Sequence, residues 1–407
     1  MTTGGISVRE FGAKGDGTAD DGSAFEKAIQ SGRRPIFVPA GTYRLGRSIR
    51  LSSGTHIIAH PEAFILLGDH AGVDTDTYLL TNADHRNGNE DIRVEGGIWD
   101  GNNLANPRGP DAPGSYTGVL AHFRNVRNLT LRDMILRNSE TYNILLTETR
   151  QFLVEHITFQ STTIRNNQDG VHVGGGCEDG LICNIRAHGR MTPNDDVVPL
   201  VADDALHRAQ NLATTCGPIR RIRVHSISAE DCHSFVRLAS VWSPIEDVEI
   251  SGVRGGCEAC AVNADALRYC RVPVFDPAKP PFPDGAGLLK NIRLSDFEVW
   301  KTLGLGAAAV QGTPLLLLET RMSQFSIKRF RRVWARDAGP EVPTIRMAHT
   351  GVREVVIEDL ADAGRESLFH TSADVVADTA GKLALSLRPD QKFASHAGSF
   401  SLLSVDP

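Results

Sequence analysis

The stretch Asn128-Leu129-Thr130-Leu131-Arg132-Asp133-Met134 decides the fold, because its pattern recurs along the chain. Two apolar residues stand one residue apart, and a third apolar residue follows three positions later. The closest copies are separated by roughly 23–30 residues, a spacing that is typical of stacked structural repeats. All or part of the pattern begins again at Ile92, Leu153, Leu181, Ile222, Val248, Ile292, Phe325 and Val355.

Each repeat contains too few apolar side chains to form a core of its own, so the core must come from the stacking of successive repeats. The composition, with 39 Gly, 20 Pro and only 6% aromatic residues, also favours many turns and short strands. A globular α/β domain is the alternative, but it would require helices of roughly 10–15 residues between the strands. No such helical segments stand between the repeats, so we predict an all-β parallel solenoid.

The first 50 residues depart from the repeat and are typical of an N-terminal cap. Ser7–Phe11 alternates between polar and apolar residues as a strand does. Asp20 and Asp21 stand where the N-cap of a short helix belongs. Strands are predicted over residues 36–43 and 49–51.

Two segments of this cap carry a resemblance to a known superfamily. Glu10–Asp21 (EFGAKGDGTADD) and Phe37–Tyr43 (FVPAGTY) resemble the opening of pectate-lyase-like, right-handed β-helix proteins. They are similar to the openings of family 28 glycoside hydrolases (polygalacturonases) and of several phage tailspikes. The resemblance implies a right-handed parallel β-helix with a short N-terminal capping helix. It does not name the reaction, because lyases, epimerases and hydrolases share this scaffold.

We predict one β-helix domain over residues 1–407. It is divided into an N-terminal cap (1–54), stacked coils (55–360) and a C-terminal cap or edge strands (361–407). Three loops are predicted to interrupt the coils, at residues 100–116, 201–218 and 255–288. Loops of this length in a repeat scaffold typically wall a groove or mediate contacts between subunits, so a homo-oligomer is compatible with the sequence.

Three aspartates form the candidate catalytic group. Asp169 lies in Asn167-Gln168-Asp169-Gly170, and Asp195 and Asp196 follow about one repeat later. If the coils stack, the three carboxylates come together on one outer surface. Hydrolysis of a glycosidic bond needs one carboxylic acid and one carboxylate, and crowding raises the pKa of one member of such a group. For a lone Asp, capping of a turn is the simpler explanation.

Family 28 enzymes carry Asn-Thr-Asp, Asp-Asp, Gly-His-Gly and Arg-Ile-Lys motifs, and this chain resembles about half of that signature. Asn167–Gly170 resembles the first motif with Gln in place of Thr, and Asn194–Leu200 resembles the second. Arg237 resembles the start of the fourth, but Ala239 stands where Lys is expected. No Gly-His-Gly is present, and His233 is the nearest candidate. If the roles of the family carry over, Asp196 is the acid, and Asp169 with Asp195 holds and deprotonates the water, which implies inversion.

His172, His233 and Arg237 are the candidate substrate-binding residues. We expect His172 to lie on the same side as Asp169 if the run is a regular strand, with a capping or surface role as the alternative. Arg237 would suit an anionic sugar group through bidentate pairing, yet without the neighbouring Lys a neutral sugar fits as well. Further candidates are the aromatic residues Tyr116, Tyr142, Trp242 and Trp300, as packing or as sugar platforms. An acidic group of Asp203, Asp204 and His207 is expected in a solvated loop, with a position at the rim of the groove as the alternative.

No metal and no cofactor are predicted. The acidic turn at residues 12–17 lacks the sixth-position Gly and the closing Glu of an EF-hand, so we expect a structural turn. The seven cysteines are expected as buried or loop thiols. A disulfide such as Cys260–Cys270 is the next alternative, and a metal cluster that includes Cys257 is the last, because no fourth ligand follows at a recognisable spacing.

Charge and hydropathy restrict the partners. A net charge of −6 argues against nucleic acid, which requires a basic surface. No run of 18 or more apolar residues is present, so no membrane span is predicted. The chain as given begins without a basic and apolar leader, which leaves a cytoplasmic location and a trimmed secreted form both open. The predicted partner is an oligosaccharide or a polysaccharide.

The predicted function is therefore an inverting, Asp-based glycoside hydrolase similar to the polygalacturonases, acting on a glycan with or without uronic acids. Two alternatives stay open. A polysaccharide lyase or epimerase on the same scaffold would abstract a proton next to a uronate carboxyl group. A tailspike-like protein would bind the glycan without catalysis.

Overall fold

The computed structural model describes residues 5–110, 112–203, 213–266, 287–306 and 312–347, and the strands at 351–361, 369–371, 376–377 and 383–385. The described residues form two compact units. The first contains residues 5–173, 177–195 and 213–214, and the second contains residues 174–176, 196–203 and those from 215 onward. None of the described helices is long and apolar enough to cross a membrane.

The first unit begins with a 3-10 helix (Val8–Phe11) and one α-helix, α1 (Gly22–Gln30). Its strands are β1 (Ile6–Ser7), β2 (Asp16–Asp20), β3 (Ile36–Val38), β4 (Gly41–Leu45), β5 (Ile49–Leu51), β6 (His56–Ala59), β7 (Ala63–Leu67), β8 (Leu80–Asn82), β9 (Asn89–Glu95), β10 (Ile98–Asp100), β11 (Ala121–Arg124), β12 (Val126–Arg132), β13 (Ile135–Arg137), β14 (Ile144–Thr147), β15 (Arg150–Glu155), β16 (Thr158–Gln160), β17 (Val171–Gly174) and β18 (Glu178–His188).

Most of these strands stack in three parallel ladders, and β18 is long enough to pair with both β15 and β16. The first ladder runs β5–β8–β11–β14–β17. The second runs β9–β12–β15–β18, and the third runs β7–β10–β13–β16. In-register parallel pairing of consecutive coils is the defining feature of a parallel β-helix. The predicted all-β, right-handed parallel β-helix with a short N-terminal helix is confirmed.

A left-handed residue explains the three-residue step of the sequence repeat. Side chains alternate with a period of two along a strand, so a strand that buries Leu129 and Leu131 would next turn residue 133 inward. Asp133 instead has a positive φ of 58° and bends the chain, and Met134 then becomes the next buried residue. The same bend recurs before the third apolar position in other coils, at His156, Asn184, Ser226, Gly252, Asp296 and Arg329.

Two predicted repeat starts, Leu153 and Leu181, were wrong by one residue. The register pairs Leu129 with Phe152, and Phe152 with Gly180. Phe152 is buried, whereas Leu153 is only half-buried. Gly180 makes room for the ring, because a Cβ atom added there would lie 2.1 Å from Cζ of Phe152. The aromatic residue and the glycine therefore share one position in adjacent coils, which a purely apolar pattern does not reveal.

The N-terminal segment matches the prediction at the helix and departs from it before the helix. Residues 8–11 form a 3-10 helix rather than the predicted strand, because a capping box fixes a turn: Ser7 accepts from the backbone of Arg9, and Glu10 accepts from that of Ser7. Asp20 accepts from the backbone N–H of Gly22 at the start of α1. The helix buries an apolar side that includes Phe25.

The second unit contains a 3-10 helix (Trp334–Arg336) and the remaining described strands. They are β19 (Asp196–Val201), β20 (Ile219–Cys232), β21 (Ser234–Ala239), β22 (Ile245–Cys257), β23 (Val262–Ala264), β24 (Leu289–Lys301), β25 (Leu316–Leu318), β26 (Met322–Arg332), β27 (Ile345–Met347), β28 (Gly351–Ala361), β29 (Phe369–Thr371), β30 (Val376–Ala377) and β31 (Leu383–Leu385). Two parallel ladders dominate, β19–β21–β23–β25–β27–β29 and β20–β22–β24–β26–β28.

Two features of this unit differ from the expectations. Cys257 lies at the end of β22, rather than in a loop, because β22 continues through the bend at Gly252. Parallel pairing also continues past the last predicted repeat, since β28 pairs with both β30 and β31. The strand predicted near Leu383 is present as β31, whereas Ser386 and Leu387 lie outside the described residues.

The described cysteines are reduced. Cys177, Cys183, Cys232, Cys257 and Cys260 are buried, and Cys216 is exposed. The prediction of thiols is thus confirmed for these six residues. The alternative disulfide involves Cys270, which lies outside the described residues.

Candidate functional site

Asp169 is buried in the turn that precedes β17, in the first unit. His172 lies beside it, with Nδ1 at 2.6 Å from Oδ2 of Asp169. The ring of Tyr142 stacks on the imidazole at a centroid distance of 4.2 Å. All three side chains are buried, as is that of Asp196, so the prediction that the three carboxylates lie on an outer surface is wrong for Asp169 and Asp196. The arrangement fixes the orientation of the Asp169 carboxylate by a hydrogen bond from an imidazole that is itself held by a stacked ring.

The contact between Asp169 and His172 does not arise for the expected reason. Along a regular strand, residues three positions apart point to opposite faces. The strand begins only at Val171, so Asp169 belongs to the turn and its side chain reaches back to the imidazole. His172 exposes only 2% of its surface, which suits a role in holding Asp169 better than a direct contact with a sugar.

Gln168, which replaces the Thr of the family motif, holds this turn in place. It is fully buried. Its Nε2 donates to the carbonyl oxygens of Ser139 at 2.7 Å and Thr163 at 3.0 Å. Its Oε1 accepts from the backbone N–H of Arg165 at 2.8 Å. Gln168 therefore ties the segment of residues 163–168 to residue 139 directly beside Asp169, and no local pattern in the sequence indicates this.

Asp195 approaches Asp169 within the same unit. A carboxylate oxygen of Asp195 lies within 4.8 Å of one of Asp169, although 25 residues separate them in the chain. Asp195 is half-buried, and Nδ2 of Asn167 donates to its Oδ2 at 3.3 Å. Asn167 can reach it because its backbone adopts a left-handed conformation, with φ of 62°. The motif in the sequence includes Asn167 but does not predict this contact.

Asp196 is the first residue of β19, in the second unit. Its side chain is buried, and Nη1 of Arg237 lies 3.9 Å from its Oδ2. Nη2 of Arg237 lies 2.9 Å from Oδ2 of Asp265. The guanidinium group of Arg237, which is only 4% exposed, is thus flanked by two carboxylates of its own unit. Asp265 was not among the predicted residues, because only the coil register places it beside Arg237.

His233 stands between β20 and β21 and faces a different acid. Its Nδ1 lies 3.6 Å from Oε2 of Glu258. The other carboxylate oxygen of Glu258 accepts from the backbone N–H groups of Leu305 at 3.0 Å and Gly306 at 3.1 Å. Glu258 therefore holds a loop, and His233 lies at the edge of that structural contact.

Asp203 was expected in a solvated loop or at a groove rim, and the structure corrects this. It is buried, and its Oδ2 accepts from the backbone N–H groups of residues 241, 242 and 243, at 2.6–3.0 Å. It holds the turn that presents Trp242, which is 56% exposed. The other two members of that predicted group, Asp204 and His207, lie outside the described residues.

The remaining predicted aromatic residues divide by exposure. Tyr116 and Tyr142 are buried and pack inside the first unit. Trp300 is half-buried, and the guanidinium carbon of Arg336 lies 4.8 Å from the centre of its ring. Trp242 is thus the most exposed of the four and the best placed to meet a ligand.

The Asp169–Asp195 pair has the geometry to hold one water molecule. A water oxygen forms hydrogen bonds of about 2.8 Å, so one water can donate to two acceptors that lie up to about 5.6 Å apart. The 4.8 Å limit on the oxygen separation satisfies this condition. The same carboxylates are also ligand types that a hard cation accepts, and the absence of a metal requirement stays a prediction.

A groove of about 880 Å³ lies elsewhere in the first unit, beside α1. Its lining includes Glu26, Arg34, Arg47, Arg50 and Asp76. It shares no lining residue with the aspartate pair, and its charges are of both signs. We therefore do not assign the chemistry to it.

Comparisons with known proteins agree with this fold. A family model described as "Rhamnogalacturonase A/epimerase, pectate lyase-like" matches residues 5–189. The pre-neck appendage protein of Bacillus phage phi29 is 35% identical over 130 residues, which cover 32% of this chain and 15% of that protein. Polygalacturonase-2 of Solanum lycopersicum is 25% identical over 271 residues, which cover 62% of this chain and 55% of the enzyme. The chain therefore matches only part of the length of either relative.

A solved structure extends the likeness over nearly the whole chain. The N-terminal fragment of gene product 12 of bacteriophage phi29 superposes with a TM-score of 0.68 and covers 97% of this chain and 62% of that fragment, at 17% identity. At this identity the likeness concerns the fold alone. Together with the parallel coils of each unit, these matches confirm the predicted resemblance to the pectate-lyase-like parallel β-helix superfamily, and the family model itself covers residues 5–189.

Proposed function

We propose that this protein is a glycoside hydrolase that cleaves a poly- or oligosaccharide with Asp169, Asp195 and Asp196. One observation carries the proposal: the chain folds so that the carboxylates of Asp169 and Asp195 come within 4.8 Å of each other. Asp196 follows Asp195 directly, which places their Cα atoms about 3.8 Å apart. A glycosidase requires such a group, with one member protonated and another ionised.

The proposed roles are those that the resemblance to the family 28 enzymes implies. Asp169 and Asp195 bracket the attacking water and remove its proton. Asp196 protonates the leaving oxygen. This division implies inversion at the anomeric carbon, because the water attacks the sugar directly. The anomer of the first product, observed by NMR during digestion, tests the division: a retained configuration would contradict it.

The test of hydrolysis is a glycan panel assayed for the release of reducing ends. The Asp169→Asn and Asp196→Asn variants should each lower turnover by about 10³-fold or more, because each removes a group that acts on a proton in the reaction. Both side chains are buried, with Asp169 bonded to His172 and Asp196 facing Arg237, so each variant should also lower the free energy of unfolding, by about 1–3 kcal/mol, and circular dichroism must show that it is folded. Asp247→Asn, which changes an exposed residue at a left-handed position within β22, serves as the matched control. Full activity in Asp169→Asn would refute the proposal.

A glycan-binding protein without catalysis is the second candidate. The 35% identity to a phage appendage protein over 130 residues supports it. It predicts saturable binding to a glycan with no release of reducing ends, and equal binding by the wild type and Asp196→Asn. A lyase or epimerase is the third, in keeping with the description of the matching family model. A lyase would form an unsaturated product that absorbs ultraviolet light, whereas hydrolysis forms no such product.

A further inference from the structure

The surroundings of Arg237 bear on the charge of the substrate. Arginine binds a sugar carboxylate through two parallel N–H···O bonds, and this requires one open edge of the guanidinium group. In the second unit, Nη2 of Arg237 is 2.9 Å from Asp265, and Nη1 is 3.9 Å from Asp196. Both terminal nitrogens therefore face carboxylates that the protein itself supplies.

Asp265 is held against Nη2 of Arg237. It follows β23 directly and is 6% exposed, and the backbone N–H of Asp265 donates to the carbonyl oxygen of Leu238 in the neighbouring coil. A uronate that paired with Nη2 would have to displace this buried carboxylate. The displaced group would then lose its partner while still buried, which is strongly unfavourable.

The row of residues in register with Arg237 contains one further arginine. Parallel pairing aligns Pro199, Arg237, Asn263, Leu317, Arg346 and His370 in six successive strands. The first, third and fourth of these residues are uncharged. Arg346 has Nη2 at 3.9 Å from Oε1 of Glu319. Each arginine of this row thus faces an acid of the protein, and a polyanionic chain along it would meet carboxylates.

We propose that the sugar residue bound beside Asp196 is neutral rather than a uronate, and that Asp265 sets this preference by neutralising Arg237. This inference rests on the proposed function, since it names the substrate class of the same site. Like charges placed side by side on ligand and protein repel, and that repulsion discriminates between partners. The departure from the family motif at Ala239 points the same way, because the Lys expected there would have added a cation.

The experiment compares acidic polysaccharides with their carboxyl-reduced forms, which have the same backbone and linkage but no charge. Polygalacturonate, alginate and a glucuronan are each assayed with their reduced counterpart, for binding to Asp169→Asn by affinity electrophoresis and for cleavage by the wild type. We expect the neutral member of the accepted pair to be cleaved at least tenfold faster. Asp265→Asn should shift the ratio at least tenfold toward the acidic member, while Asp247→Asn leaves the ratio unchanged.

The outcomes separate this inference from the proposed function. A wild type that prefers the acidic member overturns the neutral-sugar inference and leaves hydrolysis intact. An Asp265→Asn variant that is folded by circular dichroism but keeps the wild-type ratio overturns the role of Asp265. If that variant does not fold, the wild-type ratio alone decides the charge of the substrate. If the protein binds and cleaves no member of any pair, the proposed function is overturned, and the inference with it.

Discussion

At the residue scale, the contacts of His172 distinguish a positioning role from a substrate-binding role. Its Nδ1 lies 2.6 Å from Oδ2 of Asp169, and one face of the imidazole is covered by the ring of Tyr142. An imidazole so enclosed has little surface left for a ligand, and its hydrogen bond fixes the carboxylate that we propose as part of the base. The residue was predicted as a sugar contact, and the geometry favours the positioning of Asp169.

We predict that His172→Ala lowers kcat by about 10²-fold with little change in KM, because a misplaced base costs turnover rather than binding. His172→Asn should recover part of that loss, since its Nδ2–H can replace the Nδ1–H donor without titrating. Steady-state kinetics on a cleaved glycan from the panel make the measurement. A variant with unchanged kcat and a raised KM would restore the original prediction of a sugar contact.

At the element scale, left-handed residues bend the strands. The left-handed residue before the third apolar position repeats in coil after coil, at Asp133 and His156 among others. A residue with a positive φ turns the chain sharply, and Asn and Asp tolerate this conformation better than β-branched residues do. β12 and β15 end at this bend, whereas β22 continues through it, and in each case the three-residue step of the apolar pattern results from the bend.

The pairing of Phe152 with Gly180 gives an element-scale prediction. Gly180→Ala should lower the free energy of unfolding by about 1–3 kcal/mol, because the new Cβ atom would overlap the Phe152 ring. Denaturant unfolding followed by circular dichroism measures the change. The double variant Gly180→Ala/Phe152→Leu is the control, because a smaller side chain at residue 152 relieves the overlap. Gly180→Ala should therefore lower the free energy of unfolding less in the Phe152→Leu background than in the wild type. A neutral Gly180→Ala would mean that β15 and β18 are paired in another register.

At the scale of the whole molecule, the thiols report on the packing of the coils. Five of the six described cysteines are buried, and Cys216 is exposed. Burial raises the pKa of the Cys260 thiol to about 11 and that of Cys257 further. The thiolate is the reactive form, so both access and ionisation protect these side chains in the folded protein.

We predict two phases of thiol labelling by a disulfide reagent at pH 8. On a Cys270→Ser background, one thiol should react rapidly, and the five buried thiols should react only as the protein unfolds. Cys216→Ser should abolish the rapid phase and leave the slow phase unchanged. Two or more rapidly reacting thiols in that background would contradict the packing described here.

The local pattern of the chain allowed much of the fold to be predicted. The repeat required stacked coils, and Asp20, Asp21 and Phe25 marked the capping helix. These signals are local because strand alternation, turn conformation and helix capping depend on residues a few positions apart. The errors were local too: at residues 8–11 a capping box outweighed the alternation, and at Leu153 the apolar pattern matched one residue out of register.

The candidate site was less accessible from the sequence than the fold was. The order of residues along the chain was enough to predict the repeat, the parallel β-helix and the three candidate aspartates. Only the tertiary structure decided that Asp169 meets Asp195 and His172, that Gln168 ties residues 163–168 to residue 139, and that Asp265 lies beside Arg237. Such contacts depend on the register between coils, and the register depends on how far each intervening loop carries the chain, which no local pattern encodes.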